Sequence, residues 1–222
     1  MEKEKIIEIR NLHEKWLDGD PSGKRADFRN AKLDNIHLCY TSLSVADFSN
    51  ASLNNAYFGY TSLCRSHFNY SNLRNADFSC ANLRQACFRH ACLRGSYFRD
   101  ADLSNTNFRY ANLCYANLLN VDLTGADLSN AYLYNTILHG ANLTNVKLHN
   151  TVGNGREIKS LQLNNYGIVY TSNIIAIGCK QYSIADWENG NMDLDCSGVE
   201  LWLDSKDFIL DLIKKYPAKK SA

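Results

Sequence analysis

Apolar and polar positions along this chain repeat with a period of five. Leu or Phe stands at every fifth position from Phe28 to Leu148, 25 times without a break. Phe28, Phe48, Phe58, Phe68, Phe78, Phe88, Phe98 and Phe108 interleave with Leu33, Leu53, Leu63, Leu73, Leu83, Leu93 and Leu103, so eight of the nine Phe are spent on one register. Two residues earlier runs a second register of small residues, with Ala at fifteen places and Ser, Thr, Val or Ile at the others. A fixed short period decides the architecture before any local propensity does, because each repeat buries its apolar residues only against its neighbours.

A helix does not fit this period. Five residues advance an α-helix by about 500°, which scatters successive Leu and Phe around the cylinder. In an extended segment, positions i and i−2 point to the same side. Each unit therefore aims two side chains inward and uses the remaining residues to turn a corner. Four such sides close a coil of twenty residues, and stacked coils lie about 4.8 Å apart. Four sides also account for the alternation: Phe28, Phe48, Phe68, Phe88 and Phe108 fall on one wall and Phe58, Phe78 and Phe98 on the opposite one, with Leu on the other two. A three-sided coil would mix them. The small i−2 register keeps a narrow interior from overfilling. About six coils give a rod roughly 30 Å long.

The remaining positions agree. Pro21 and Pro217 both lie outside the repeats, as a ladder that needs every backbone donor requires. The corner position i+2 is rich in Asn, including Asn30, Asn35, Asn50, Asn55, Asn75 and Asn105, a residue that tolerates turn conformations. Strings such as ADFRN, ADLSN and ANLTN resemble the pentapeptide repeat family, whose pattern is A-(D/N)-L-x-x, across residues 26–150. The resemblance implies an all-β solenoid, a right-handed quadrilateral β-helix with four repeats per coil.

The flanks divide the chain further. Residues 1–25 predict an N-terminal capping helix and turn: Ile6, Ile9, Leu12 and Trp16 fall near one face, and Asp18-Gly19-Asp20-Pro21 stops the helix. A solenoid end exposes unpaired strand edges, so this helix is expected to lie across the first coil, with Trp16 over Phe28 or Leu33. Residues 26–150 form the repeats. Residues 151–222 lose the period and predict a small α+β C-terminal module. Within it, 157–163 and 168–179 are β-rich, Ser183-Ile184-Ala185-Asp186 reads as a capping box before a short helix, and 199–216 suggests a last helix with Trp202, Ile209, Ile213 and Tyr216 on one side.

Composition narrows the function classes. No stretch approaches the roughly 20 apolar residues of a membrane span, and MEKEKIIEIR lacks the apolar core of a signal peptide. A cytoplasmic protein without membrane contact is expected. The eight Cys form no C-x-x-C or Cys/His spacing, so neither disulfides nor a metal site is expected. The six His are scattered, no Gly-rich phosphate loop is present, and Cys179, Asp186 and Glu188 have no His within the module. No catalytic, cofactor-binding or metal-binding residues are assigned.

Charge is more informative. The repeats contain no Glu. Arg84, Arg89, Arg94 and Arg99 occupy position i+1 on four successive sides and ring one coil, while Arg74 stacks with Arg94 and Arg109 with Arg89. Tyr60, Tyr70 and Tyr110 stand in the outward column beside them. Arg74, Arg84, Arg89, Arg94, Arg99, Arg109, Tyr70 and Tyr110 form a candidate interaction belt, since Arg and Tyr anchor many interfaces. A net charge of +1 is too small for nucleic acid to be the expected partner. The reading is a non-enzymatic interaction scaffold that binds protein, as a monomer or homodimer. The resemblance brings an alternative, since family members that confer quinolone resistance mimic DNA and bind gyrase. That needs an acidic rod, whereas this one is ringed by Arg. An enzyme seated in the C-terminal module is the second alternative.

Overall fold

The computed structural model describes residues 2–153, the segments 159–163, 166–170, 174–177 and 180–189, and residues 210, 211, 213, 214 and 217. The repeats wind as a four-sided parallel β-helix. The residue before each centre pairs in parallel with the residue twenty positions on, from Asp27 with Asp47 to Tyr132 with Val152. The Phe28 N–H donates to the Asp47 carbonyl at 2.7 Å, and the Asp47 N–H returns to the Ala26 carbonyl at 3.1 Å. Every wall repeats this exchange. Each side contributes one paired residue, too short for a conventional strand, so the sheet exists only down the stack.

The corners follow from the same geometry. The Ala31 N–H donates to the Phe28 carbonyl at 3.1 Å, and this three-residue closure recurs from side to side. The residue two past each centre has positive φ at all 25 corners: 22 non-glycine residues plus Gly95, Gly125 and Gly140. Left-handed backbone is costly for most side chains and mild for Asn, which explains the Asn-rich register. Asn also ladders along the stack, with the Asn55 and Asn75 amides donating to Asn35 and Asn55 at 3.3 and 3.4 Å.

The core is the two expected Phe stacks. All eight repeat Phe are fully buried. Rings on one wall lie parallel with centroids 4.8–5.0 Å apart. The two walls then meet edge-to-face, Phe48 on Phe58 at 5.6 Å and Phe88 on Phe98 at 6.2 Å. Both arrangements are favoured by the ring quadrupole. Hydroxyls in the small register are satisfied internally: Thr41, Ser66, Ser71, Ser96 and Thr106 each donate at 2.7 Å to the carbonyl of the preceding centre.

Helix α1 (Lys3–Leu17) covers the first coil. Ile6 is buried in the repeat core and Ile9 packs against it. The expected place of Trp16 is corrected: it is 37% exposed and stacks on His13, with centroids 5.6 Å apart. His13 is the residue that reaches the coil. It is wholly buried, and its Nδ1 accepts the Ala26 N–H at 3.1 Å. In later repeats that N–H donates to the preceding centre, as Ala46 does to Leu43. The first repeat has no preceding centre, so an imidazole supplies the acceptor. Trp16 misses the core because it lies in the last turn of α1, which ends at Leu17; Gly19 then takes φ +78° and the chain doubles back. The return brings Gly23 against the Trp16 backbone, where any Cβ would collide.

Beyond the coil, β1 (Lys159–Leu163), β2 (Tyr166–Tyr170), β3 (Ile174–Ile177) and β4 (Lys180–Ser183) form an antiparallel meander. Helix α2 (Ile184–Asn189) follows. The Ser183 hydroxyl caps it, accepting the Asp186 N–H at 2.9 Å. Leu210 and Ile213 are buried. Trp202, Ile209 and Tyr216 lie outside the described residues.

Candidate interaction surface

The i to i+20 pairing assigns every outward side chain to a wall. The first wall carries centres 28 to 148, the second 33 to 133, the third 38 to 138 and the fourth 43 to 143. Arg89 and Arg109 stand on the first wall, Arg74 and Arg94 on the second, Arg99 on the third and Arg84 on the fourth. The four i+1 arginines therefore do occupy four successive sides, but their surroundings differ.

Along the edge between the first and second walls, Tyr70, His90 and Tyr110 form one column. Their rings stack at 4.8 Å with interplanar angles of 4° and 1°. His90 went unnoticed in the sequence because it is the middle of three rings spaced by twenty; that spacing is the signal that finds it. Tyr70 and Tyr110 are 61% and 41% exposed. Tyr60 does not belong to this column. It lies ten residues away in register, on the opposite edge, stacked on Tyr40 at 5.0 Å. On the next edge, the Arg94 guanidinium sits 4.3 Å from the ring centroid of Tyr115, a cation–π contact that orients it.

Acidic residues divide the coil unevenly. Residues 67–75, 87–95 and 107–115, which make up the first and second walls at mid-rod, hold four Arg and no Asp or Glu. The corresponding residues 77–85, 97–105 and 117–125 of the third and fourth walls hold Arg84 and Arg99 against Asp77, Asp100, Asp102 and Asp122. Arg84 pairs with Asp102 at 3.7 Å and Arg99 with Asp100 at 3.2 Å. On the first wall itself Arg109 pairs with Asp127, one coil on, at 3.4 Å. Burial opposes the Asp127 charge, but its Ser129 hydrogen bonds and Arg109 outweigh that and hold its carboxyl below the usual range. Among the described residues, Arg74, Arg89 and Arg94 make no salt bridge; Arg74 Nε instead meets the Cys92 thiol at 3.3 Å. Arg74, Asn75, Arg94 and Asn112 line a shallow depression on the second wall.

Nothing on this surface assembles a nucleophile with a base. Cys87 and Cys92 face outward on adjacent walls, and the described cysteines are free thiols. Among the described residues no group of three or more His, Cys, Asp or Glu converges as metal ligands. No described helix is long and apolar enough to cross a membrane.

The model of the pentapeptide repeats matches in eight copies over residues 24–59, 57–95, 91–130 and 115–150, a continuous 127 of the 222 residues. The chain belongs to the pentapeptide repeat family. Several pentapeptide repeat structures are similar to it. HetL, involved in heterocyst differentiation regulation in the cyanobacterium Nostoc sp. strain PCC 7120, is 28% identical over 60% of this chain and 70% of its own, with a TM-score of 0.45. QnrB1, a plasmid-mediated fluoroquinolone resistance protein, is 22% identical over 57% of this chain and 77% of its own, with a TM-score of 0.43. A pentapeptide repeat protein from the thylakoid lumen of Arabidopsis thaliana is 28% identical over 56% and 69%, with a TM-score of 0.25. No match was found among curated proteins.

Proposed function

We propose that this pentapeptide repeat protein is a non-enzymatic scaffold that docks a partner protein along the edge between its first and second walls. The observation that carries the reading is the mid-rod charge split. Arg74, Arg89 and Arg94 stand on the first and second walls beside an exposed column of stacked rings and, among the described residues, make no salt bridge. Arg84 and Arg99 on the other two walls are paired with Asp. Of the four mid-rod Arg of the first and second walls, Arg109 alone is paired, with Asp127. Arg and Tyr are the residues that anchor protein interfaces. They stand here on a backbone bonded above and below at every side, so little ordering cost opposes binding. A cytoplasmic setting belongs to the same proposal.

The test is capture from the source cell with the parent and with a variant carrying Arg74→Ser, Arg89→Ser, Arg94→Ser and Arg109→Ser. A protein held by the parent and lost by the folded variant is the expected result. Equal capture by both would remove the edge from the proposal. A gyrase-protecting role would call for an anionic rod, and this edge is cationic. No protection of gyrase supercoiling from a quinolone is therefore expected; rescue at micromolar protein would reverse the ranking.

A further inference from the structure

The docking edge sorts partners by charge and by what its rings leave free. Within the Tyr70–His90–Tyr110 column, both faces of His90 and the inward faces of the two tyrosines are covered by one another at 4.8 Å. Stacking of this kind leaves no slot between rungs for a nucleobase. Single-strand binders need open aromatic faces. What points outward is the ring rim, where the Tyr hydroxyls and an imidazole N–H are hydrogen-bond donors. Donors on the column and guanidiniums on both sides make a surface whose complement is a row of carboxylates. Guanidinium recognises carboxylate with two parallel hydrogen bonds.

We infer that this surface binds an extended acidic segment of a partner protein, with carboxylates set against Arg74 and Arg94 across the second wall and against Arg89 beside the ring column, where Arg109 is already held by Asp127. The inference rests on the docking reading above and names its partner class. Arg74 and Arg94 are one coil apart, as are Arg89 and Arg109, so each pair starts from backbone positions about 4.8 Å apart along the rod, with Arg109 already drawn to Asp127. Alternate residues of an extended chain lie about 6.6–6.8 Å apart, within the swing of an Arg side chain. Asp77, Asp100, Asp102 and Asp122 on the other two walls repel the same segment, which confines it to one edge.

Fluorescence anisotropy with labelled poly-L-glutamate at low salt tests this on the full chain. Two edge variants, Arg74→Ser with Arg94→Ser and Arg89→Ser with Arg109→Ser, are compared with Arg84→Ser plus Arg99→Ser, which removes the same charge from the other walls. Loss of the Arg74 and Arg94 pair should weaken binding about tenfold, as desolvated charge contacts do, and loss of the Arg89 and Arg109 pair somewhat less, because Asp127 already holds Arg109. The control pair stays within about twofold of the parent. An equal loss in the control would show binding to net charge and overturn the inference. So would failure of poly-L-glutamate to bind. Tighter binding of a labelled oligothymidylate through the same arginines would overturn it in favour of nucleic acid. The cell capture separates the two readings. A partner lost by the folded edge variant when poly-L-glutamate does not bind leaves docking standing and removes the acidic segment. A partner held equally by both removes the edge itself.

Discussion

The interior and the outward faces of this solenoid share one backbone and differ in how closely neighbours dictate each residue. Inside, Phe88 lies between Phe68 and Phe108 at 4.9 and 5.0 Å and meets Phe78 and Phe98 edge-on at 5.9 and 6.2 Å. Its volume and direction are both specified. Outside, the first wall passes from Asp27 through Asp47, His67, Cys87 and Asn107 to Asp127 at one register, with the same hydrogen bonds beneath each. An outward side chain meets a few neighbours on its own coil and on the coils above and below, and otherwise water. The fold is therefore held by the inner positions and leaves the outer ones free for recognition.

The comparison is broken most directly at Phe88. Phe88→Ala removes a ring from the middle of a stack that cannot close up, since coil spacing is set by the backbone ladder. Destabilisation of about 3–5 kcal/mol is expected in chemical denaturation. Arg89→Ser, one residue away and outward, should cost no more than about 1 kcal/mol. Similar losses for the two would mean that the interior is not the source of stability.

His13 sits at the boundary between the regions, a polar side chain doing an interior job. Burial foremost, with the Arg25 charge, lowers its pKa from 6.5, against the opposing influence of the Ser44 backbone and Glu14. Its Nδ1 must stay unprotonated to accept the Ala26 N–H. The unfolded chain takes up this proton near pH 6.5 and the folded chain only at lower pH. The associated stability is thus complete above 6.5 and falls as pH drops through the folded value. His13→Gln keeps an acceptor and cannot titrate, so its unfolding midpoint should change less than the parent's between pH 7.5 and 5. His13→Ala should lose about 1–3 kcal/mol at pH 7.5, the cost of a buried N–H left unpaired. Parallel pH profiles for parent and Gln variant would show that His13 titrates as an exposed residue. A separate loss is expected in stronger acid. Asp27 is held to about 2 by side-chain hydrogen bonds from Arg29, so its contribution is present above its ordinary 3.8 and is lost as pH falls through about 2.

Much of this was legible in the sequence, and the misses have physical reasons. A period of five with Phe alternating every ten residues specifies four walls, and the Phe stacks follow. The role of His13 was hidden because its partner, Ala26, is thirteen residues away across a reversal of the chain. Trp16 continues the apolar stripe of Ile6, Ile9 and Leu12, but the stripe outlasts the surface it covers. Arg84 and Arg99 look like Arg89 and Arg94 in the repeat alphabet. They differ through Asp102 and Asp100, which a search at spacings of eighteen and one would have found. In the C-terminal module the β-rich runs 157–163 and 168–179 were visible, with a division near Asn173 that lies outside the described residues, whereas the strand Lys180–Ser183, a polar run, was not.

The corners are the third kind of position, neither packed nor free, and they allow the smallest test. The backbone demands positive φ there whatever the side chain. Asn meets that demand at eleven of the 25 corners. Val45 is the poorest fit, a β-branched residue held at φ 67°. Left-handed backbone costs a non-glycine residue roughly 1–2 kcal/mol, with Asn among the exceptions. Val45 is half-buried, so replacing it also forfeits some apolar contact. Its N–H bond to the Cys64 carbonyl, at 2.8 Å, is made by the backbone and survives substitution. Val45→Asn should therefore raise stability by about 0.5–1 kcal/mol, as relief of strain exceeds the lost contact. Val45→Gly relieves the same strain but frees the unfolded chain, so it should gain less. If both variants melt below the parent, side-chain packing outweighs backbone conformation at this corner, and corners belong with the interior.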